Sequence, residues 1–201
     1  MILLSLIASS LAASSTPIEA GPVLSPGQPA ATFVLPDTTG KTHDLAALKG
    51  KTVVLEWFNP DCPFVKYAYG EQGTLSALAG RWQGESLVWL RINSGAPGKQ
   101  GAGSERNAAA IAEWSLSGPV LLDETGAVGK RYGAKTTPQV VVIDPAGMVV
   151  YNGGLDNAPM GKPEGASRLD YVDGALTSLA AGKPIDPAST RPYGCSVKYP
   201  D

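Results

Sequence analysis

Two side chains in this sequence carry a sulfur that can act as a nucleophile and form a disulfide. Cys62 lies in LEWFNPDCPFVKYAYG, residues 55–70, and Cys195 lies in YGCSVKY near the end of the chain. A proline, Pro63, follows Cys62 directly. Proline is favoured at the first helical position, where its missing N–H would be unpaired anyway. Cys62 is therefore expected at a helix N-cap, facing unpaired backbone N–H groups and the positive helix end, which both favour a thiolate. Such surroundings can lower a cysteine pKa from about 8.5 toward about 3.5–7.5. Lys66, one turn on, is expected to add to the effect and Asp61 to oppose it. The competing reading makes Cys62 a small buried hydrophobe, a common fate of free cysteine. A cap that follows a strand is usually partly exposed, and that favours the reactive thiol.

Cys195 admits three readings. It can resolve a mixed disulfide or sulfenic acid formed at Cys62, closing an intramolecular disulfide. It can instead be half of a permanent staple, worth about 5 kcal/mol for so long a loop. Or it can stay free or cross-link two chains.

The elements that must position these sulfurs follow from the apolar pattern. KTVVLEWF, ending four residues before Cys62, is nearly continuous in apolar residues, as a central strand buried on both faces requires. Upstream, ATFVLPDTTGKTHDLAALKG reads as a strand, a turn and a short helix. SLVWLRINS (86–94) reads as a second strand, and SERNAAAIAEWSL (104–116) as a helix that Ser104 can cap. VLLDETGAVGKRYGA reads as a short strand and a short helix closed by Gly133. PQVVVIDPAGMVVYNGG reads as a hairpin about Asp144-Pro145-Ala146-Gly147. SRLDYVDGALTSLAAG (167–182) places Leu169, Val172, Leu176 and Leu179 at helical spacing, with Gly182 as a stop. Gly70 and Gly73 are expected to break the helix that Cys62 opens. Alternating units followed by a hairpin and a last helix predict a largely parallel sheet covered by helices, with antiparallel strands added late.

Composition narrows the function. The chain has 201 residues, 43% of them hydrophobic, with 24 glycines, 17 prolines and a net charge of −2. That suits one domain with terminal extensions and many ordered loops. No basic run is interleaved with aromatics, so no nucleic-acid partner is expected. One histidine, His43, and two distant cysteines show no metal-ligand spacing, so neither a metal nor a cofactor is expected. Residues 1–20 hold an apolar stretch at 2–13 followed by small residues, the pattern of a signal peptide, although no Lys or Arg precedes it. The expectation is a periplasmic or otherwise exported protein, touching a membrane only through that segment if it is uncleaved. In an oxidising compartment a disulfide can persist.

WFNPDCPFVK resembles the active-site segment of the peroxiredoxin-like members of the thioredoxin superfamily, the AhpC/TSA or redoxin group. The resemblance continues in register through VWLRINSGAPG, LLDETGAVGKRYGAKTTPQVVVID, VVYNGGLDNAP and YGCSVKY. It implies a thioredoxin-like three-layer α/β sandwich over residues 21–183, with an N-terminal β-hairpin extension and an irregular tail over 184–201 that carries Cys195. It also implies that Thr137-Pro138 is a cis-proline step opposite Cys62, holding an extended substrate through backbone hydrogen bonds. Glu56, six residues before Cys62, matches the buried acid of thioredoxins, and burial would raise its pKa so that it could exchange the thiol proton. A solvated or lysine-paired carboxylate is the competing reading of Glu56.

The departures are specific. Val65 stands where an ordinary thioredoxin has its second cysteine. Asn59 and Leu55 stand where a peroxiredoxin has threonine and proline, and Thr136 replaces a further cysteine seen in some relatives. The resemblance therefore implies a thiol–disulfide oxidoreductase with Cys62 as nucleophile and Cys195 as resolving cysteine, supported by Pro63, Glu56, Thr137 and Pro138. Its substrate would be a protein or small-molecule disulfide or thiol, its electron donor left open. A peroxidase acting on a peroxide, and a non-catalytic module with a structural Cys62–Cys195 disulfide, are the alternatives.

Overall fold

The computed structural model describes residues 18, 21–71 and 73–201; the segment expected to be a signal peptide lies, apart from Ile18, outside the described residues. The chain opens with a hairpin of β1 (Val34–Pro36) and β2 (Thr42–Asp44), paired antiparallel. Asp44 then caps a single 3-10 turn, Leu45–Leu48, by accepting the Ala46 N–H at 2.8 Å. This is the short helix expected before the strong strand.

The remaining strands of the core are β3 (Thr52–Trp57), β4 (Leu87–Asn93), β5 (Val120–Leu122), β7 (Gln139–Ile143) and β8 (Val149–Gly153), with the two-residue β6 (Thr136–Thr137) standing apart from their sheet. They form one five-stranded sheet in the order β5-β4-β3-β7-β8. The pairs β3–β4 and β4–β5 are parallel, and the pairs β3–β7 and β7–β8 are antiparallel. The hairpin turn is held by Gly147, at φ 87, and by Asp144, whose carboxylate accepts the Met148 N–H at 2.8 Å.

Alternation along β3 sends Val54 to one core, with Cys62, Val65, Leu75, Trp89 and Leu176, and Val53, Leu55 and Trp57 to the other, with Ile92, Val128 and Tyr132. Helices α1 (Pro63–Lys66), α2 (Thr74–Trp82), α3 (Ser104–Glu113) and α5 (Tyr171–Ala180) contribute to the first core. Helix α4 (Ala127–Tyr132) and the segment leading from Leu24 through Phe33 to Leu45 cover the other. The three layers bury both faces of β3, so truncating Leu55 to alanine would cost about 2–5 kcal/mol. Among the described residues no helix is long and apolar enough to cross a membrane.

Two boundaries differ from expectation. Ser104 does not cap α3: Gly103, at φ 89, takes the cap position, and the Asn107 amide inside the first turn donates to the Gly103 carbonyl at 2.7 Å. Leu169 is not part of the α5 stripe; its N–H is taken by Asn157 Oδ1 at 2.7 Å, the helix begins at Tyr171, and Leu169 stays exposed. Most of the tail is irregular, but Cys195–Ser196 form a strand, β9, that pairs antiparallel with β6.

Candidate active site

The segment after β3 is a tight turn. Asn59 Oδ1 accepts the Asp61 N–H at 2.9 Å, and the Cys62 N–H reaches the Asn59 carbonyl at 3.1 Å. Arg106 of α3 clamps this turn from outside, donating to Asp61 Oδ1 at 3.0 Å and to the Pro60 carbonyl at 3.2 Å. Cys62 follows at the N-cap of α1 with extended backbone, and Pro63 is the first helical residue, as the Cys-Pro pair predicts. α1 is only one turn long and runs into a wider π turn, Tyr67–Glu71. The break comes where the glycines predict it: Gly73, at φ 61, caps the separate helix α2.

A one-turn helix carries little macrodipole, so nearby donors must do the work at Cys62. Lys66 is not one of them. Its Nζ lies 3.8 Å from Asp61 Oδ1, and Arg106 Nη2 lies 2.9 Å from the same oxygen, so these cations answer Asp61. The sulfur is also not partly exposed, as a cap was expected to be, but has 0% exposure. The covering group is the tail.

In register, Thr137 of β6 faces Cys195 of β9, and Thr136 faces Ser196. The Thr137–Pro138 peptide is cis. Cys62 Sγ donates to the Thr137 carbonyl at 3.1 Å, and the two thiols are free and in hydrogen-bond contact. Burial alone would raise the Cys62 pKa, but hydrogen bonds outweigh it and hold the thiol below its ordinary range. They come from the Cys195 thiol, the Thr137 side chain and the backbone N–H groups of Val65 and Cys195. The Thr137 hydroxyl is buried and has no other partner among the described residues, which leaves it for Cys62. Cys195 moves the other way: burial first, then the bond to Cys62 and its charge, push it up to about 11 against the pull of Lys198. The pair is therefore unequal: the Cys62 thiol is held below its ordinary range and the Cys195 thiol is raised above it.

Glu56 lies deeper, on the β3 face shared with Val54. It has no exposure, and its Oε2 accepts from Tyr69 Oη at 2.6 Å and from Trp89 Nε1 at 2.8 Å. Burial raises its pKa, and Arg91, Tyr69 and Trp89 pull it back. Its partner is not a lysine but Arg91, directly opposite in the β3–β4 register, with Nε 3.9 Å from Oε2 and 2.7 Å from Tyr69 Oη. Its second oxygen, Oε1, is buried without a partner among the described residues. The Arg91–Tyr69–Trp89 cluster and the Arg106 clamp were not singled out in the sequence. A lone charge in each of two adjacent central strands is the signal that could have found the first.

The structure therefore brings together Cys62, Pro63, Thr137, Pro138 and Cys195. Glu56 sits on the same side of the sheet with its hydrogen bonds turned to the arginine cluster. Asn59, in the place of the peroxiredoxin threonine, spends its side chain on the turn and on the Gln100 carbonyl at 3.2 Å.

A mixed five-stranded sheet, a thiol at the helix start after its central strand, and a proline step facing that thiol define a thioredoxin-like fold with a paired-cysteine site. Residues 26–152 match the model of the AhpC/TSA family, and the chain belongs to that family. It is similar to thiol-disulfide oxidoreductase ResA of Halalkalibacterium halodurans, with 26% identity over 64% of this chain and 69% of the relative. A crystal structure of a hypothetical protein from Sinorhizobium meliloti 1021 superposes with a TM-score of 0.77 at 27% identity, covering 89% of this chain and 97% of the other. An uncharacterized conserved protein from Geobacillus kaustophilus superposes with a TM-score of 0.76 at 26% identity, covering 92% and 97%.

Proposed function

We propose that the protein is an exported thiol–disulfide oxidoreductase in which Cys62 is the nucleophile and Cys195 the resolving thiol. The observation that carries this reading is the unequal pair: two free thiols in contact, with donors arranged around Cys62 alone. In the first step Cys62 thiolate attacks one sulfur of a substrate disulfide, forming a mixed disulfide and expelling the other sulfur as a thiolate. Cys195 then gives up its proton and attacks Cys62 Sγ. The Cys62–Cys195 bond forms, the mixed disulfide breaks, and the departing substrate sulfur takes up a proton. The substrate gains two electrons, its two sulfurs take up the proton released by Cys195 and one from solvent, and an external dithiol restores the enzyme by the reverse exchange.

Thr137 stabilises the thiolate through its hydroxyl, and Pro63 and Pro138 shape the two backbones that meet at the sulfur. Glu56 acts as a positioning residue, tying β3 to β4 and to Tyr69 in the π turn that follows Cys62. The use of Asn59 in the turn weighs against peroxide as the substrate, since its side chain is not free to stand in for the missing threonine hydroxyl.

The test is quantitative thiol trapping of the wild type, Cys62→Ser and Cys195→Ser across a series of dithiol redox buffers. The expected result is a reversible internal disulfide, in the wild type only, with a potential above about −300 mV. A potential below that value would make the bond a staple, and no internal disulfide at all would end the resolving role. Peroxide turnover faster than disulfide turnover in the same samples would transfer the assignment to a peroxidase.

A further inference from the structure

The backbone edge at Thr136–Thr137 is already occupied, by this chain's own C-terminus. Cys195 and Ser196 pair with Thr137 and Thr136 in antiparallel register, and the Val197 N–H continues the ladder to the Lys135 carbonyl at 3.0 Å. The segment then crosses to the loop on the far side of the site, where the Ala96 N–H reaches the Lys198 carbonyl at 2.8 Å. Two tyrosines tie it down. Tyr193 Oη donates to Asp156 Oδ1 at 2.6 Å on one side of Cys195, and Tyr199 Oη donates to the Ala134 carbonyl at 2.7 Å on the other. Tyr199 packs so closely on Gly126 and Gly129 that a Cβ on either glycine would collide with its ring or hydroxyl.

An unpaired strand edge is a template for any extended chain, and alternate side chains of the added strand are read by the pockets beside it. Here the added strand delivers a cysteine sulfur to Cys62, the placement a peptide substrate's own cysteine would need. Gly194, before that cysteine, has φ 131, and a Cβ at this position would overlap the Thr137 carbonyl oxygen. The site therefore accepts a backbone whose residue before the cysteine has no side chain.

We propose that residues 194–197 are a built-in pseudosubstrate. They hold in cis the edge that an extended Gly-Cys peptide disulfide would use, so such a peptide reaches Cys62 only when the strap held by Tyr199 lifts. This rests on the reading of Cys62 as nucleophile given above. It also accounts for a nucleophile with no exposure: the strap that supplies the resolving sulfur is the cover over Cys62. Closing the Cys62–Cys195 bond fastens the strap, and reducing it returns the strap to a pairing that a peptide can displace.

The test times the first exchange step alone, in reduced full-length protein carrying Cys195→Ser. Two probes share one leaving group: 5,5′-dithiobis(2-nitrobenzoate), and an extended Gly-Cys peptide activated as its thionitrobenzoate disulfide. Cys62 thiolate forms the new S–S bond, the old one breaks, and thionitrobenzoate leaves with the electron pair and is read by its colour. Adding Tyr199→Ala or Gly194→Val should raise the peptide rate about tenfold, an opening shift of about 1.4 kcal/mol, and by more than it raises the small-probe rate. Hydrogen exchange at the Val197 amide should quicken in parallel, and in the Tyr199→Ala chain an Ala-Cys peptide should react more slowly than Gly-Cys. Faster Val197 exchange with an unchanged ratio of peptide to small-probe rate overturns the proposal. So does unchanged Val197 exchange in both variants. If no variant releases thionitrobenzoate from either probe, the nucleophile assignment itself fails, which is a different outcome.

Discussion

Replacing Cys195 separates the two sulfurs most directly. The Cys195 thiol is the foremost of the donors that hold the Cys62 pKa down against burial. A hydrogen bond to a charged group is worth about 1.5–3 kcal/mol. A thiol is a weak donor, so the lower end applies, and about 1.4 kcal/mol corresponds to one pKa unit. Cys195→Ala removes this donor but leaves the backbone N–H of residue 195 in place, and should raise the Cys62 pKa by about one unit. Cys195→Ser keeps a hydroxyl donor and should stay within about half a unit of the wild type, by the same conversion. The assay is thiolate absorbance against pH, taken as the difference from a Cys62→Ser/Cys195→Ala chain, so that tyrosine ionisation cancels and access to the sulfur is not required. At neutral pH the thiolate fraction should therefore fall in Cys195→Ala and hold in Cys195→Ser. Coincident curves for the two variants would refute the donor argument. A Cys62 midpoint in the serine variant at or above the ordinary value of about 8.5 would refute the stabilised thiolate altogether.

Two further outcomes follow from groups around the site. Arg91 is 1% exposed and faces Glu56, so Arg91→Met strands a buried carboxylate and should cost about 3–5 kcal/mol in urea denaturation. The Glu56→Leu/Arg91→Met chain should recover part of that loss, and a single-variant cost below about 1 kcal/mol would contradict the buried pair. Asp37, between the N-terminal strands, would be raised by burial, but bonds from Thr39, His43 and Lys41 bring it down to about 2 from 3.8. A depressed folded pKa gives stability that is complete above 3.8 and is lost as pH falls toward about 2. Urea denaturation at pH 6 and pH 3 should show a loss of about 1–2 kcal/mol in the wild type beyond that in Asp37→Asn.

The proposed exchange also accounts for a Cys-Pro-Phe-Val segment with one cysteine. Val65, where thioredoxins carry their second sulfur, is fully buried in the core beneath the site. The second sulfur arrives from outside, on a strand that pairs with Thr137, so the proposed resolving thiol and the cover are one segment.

Much of this was legible in the residues because it is local. The apolar run of KTVVLEWF demands a strand covered on both sides, Cys-Pro marks a helix start, and Gly73 and Gly133 mark helix ends. For Glu56 its place in that strand left burial and a solvated or lysine-paired carboxylate both open, and the structure buries it. Other features depend on groups far apart in the chain, and local pattern cannot carry them. Arg91 meets Glu56 only through the β3–β4 register. Arg106 reaches Asp61 only because α3 packs beside the turn, and that contact diverts Lys66 and Asp61 away from the sulfur they were expected to influence. The exposure of Cys62 was misjudged for the same reason: nothing near residue 62 reveals what lies above it. The sequence by itself determined the setting of Cys62, since strand, turn and helix start are short-range consequences of side-chain shape and backbone hydrogen bonding. Only the tertiary structure decided which sulfur meets it and from which side, because that depends on a tail strand finding an open backbone edge, a pairing that leaves no periodic trace in two residues.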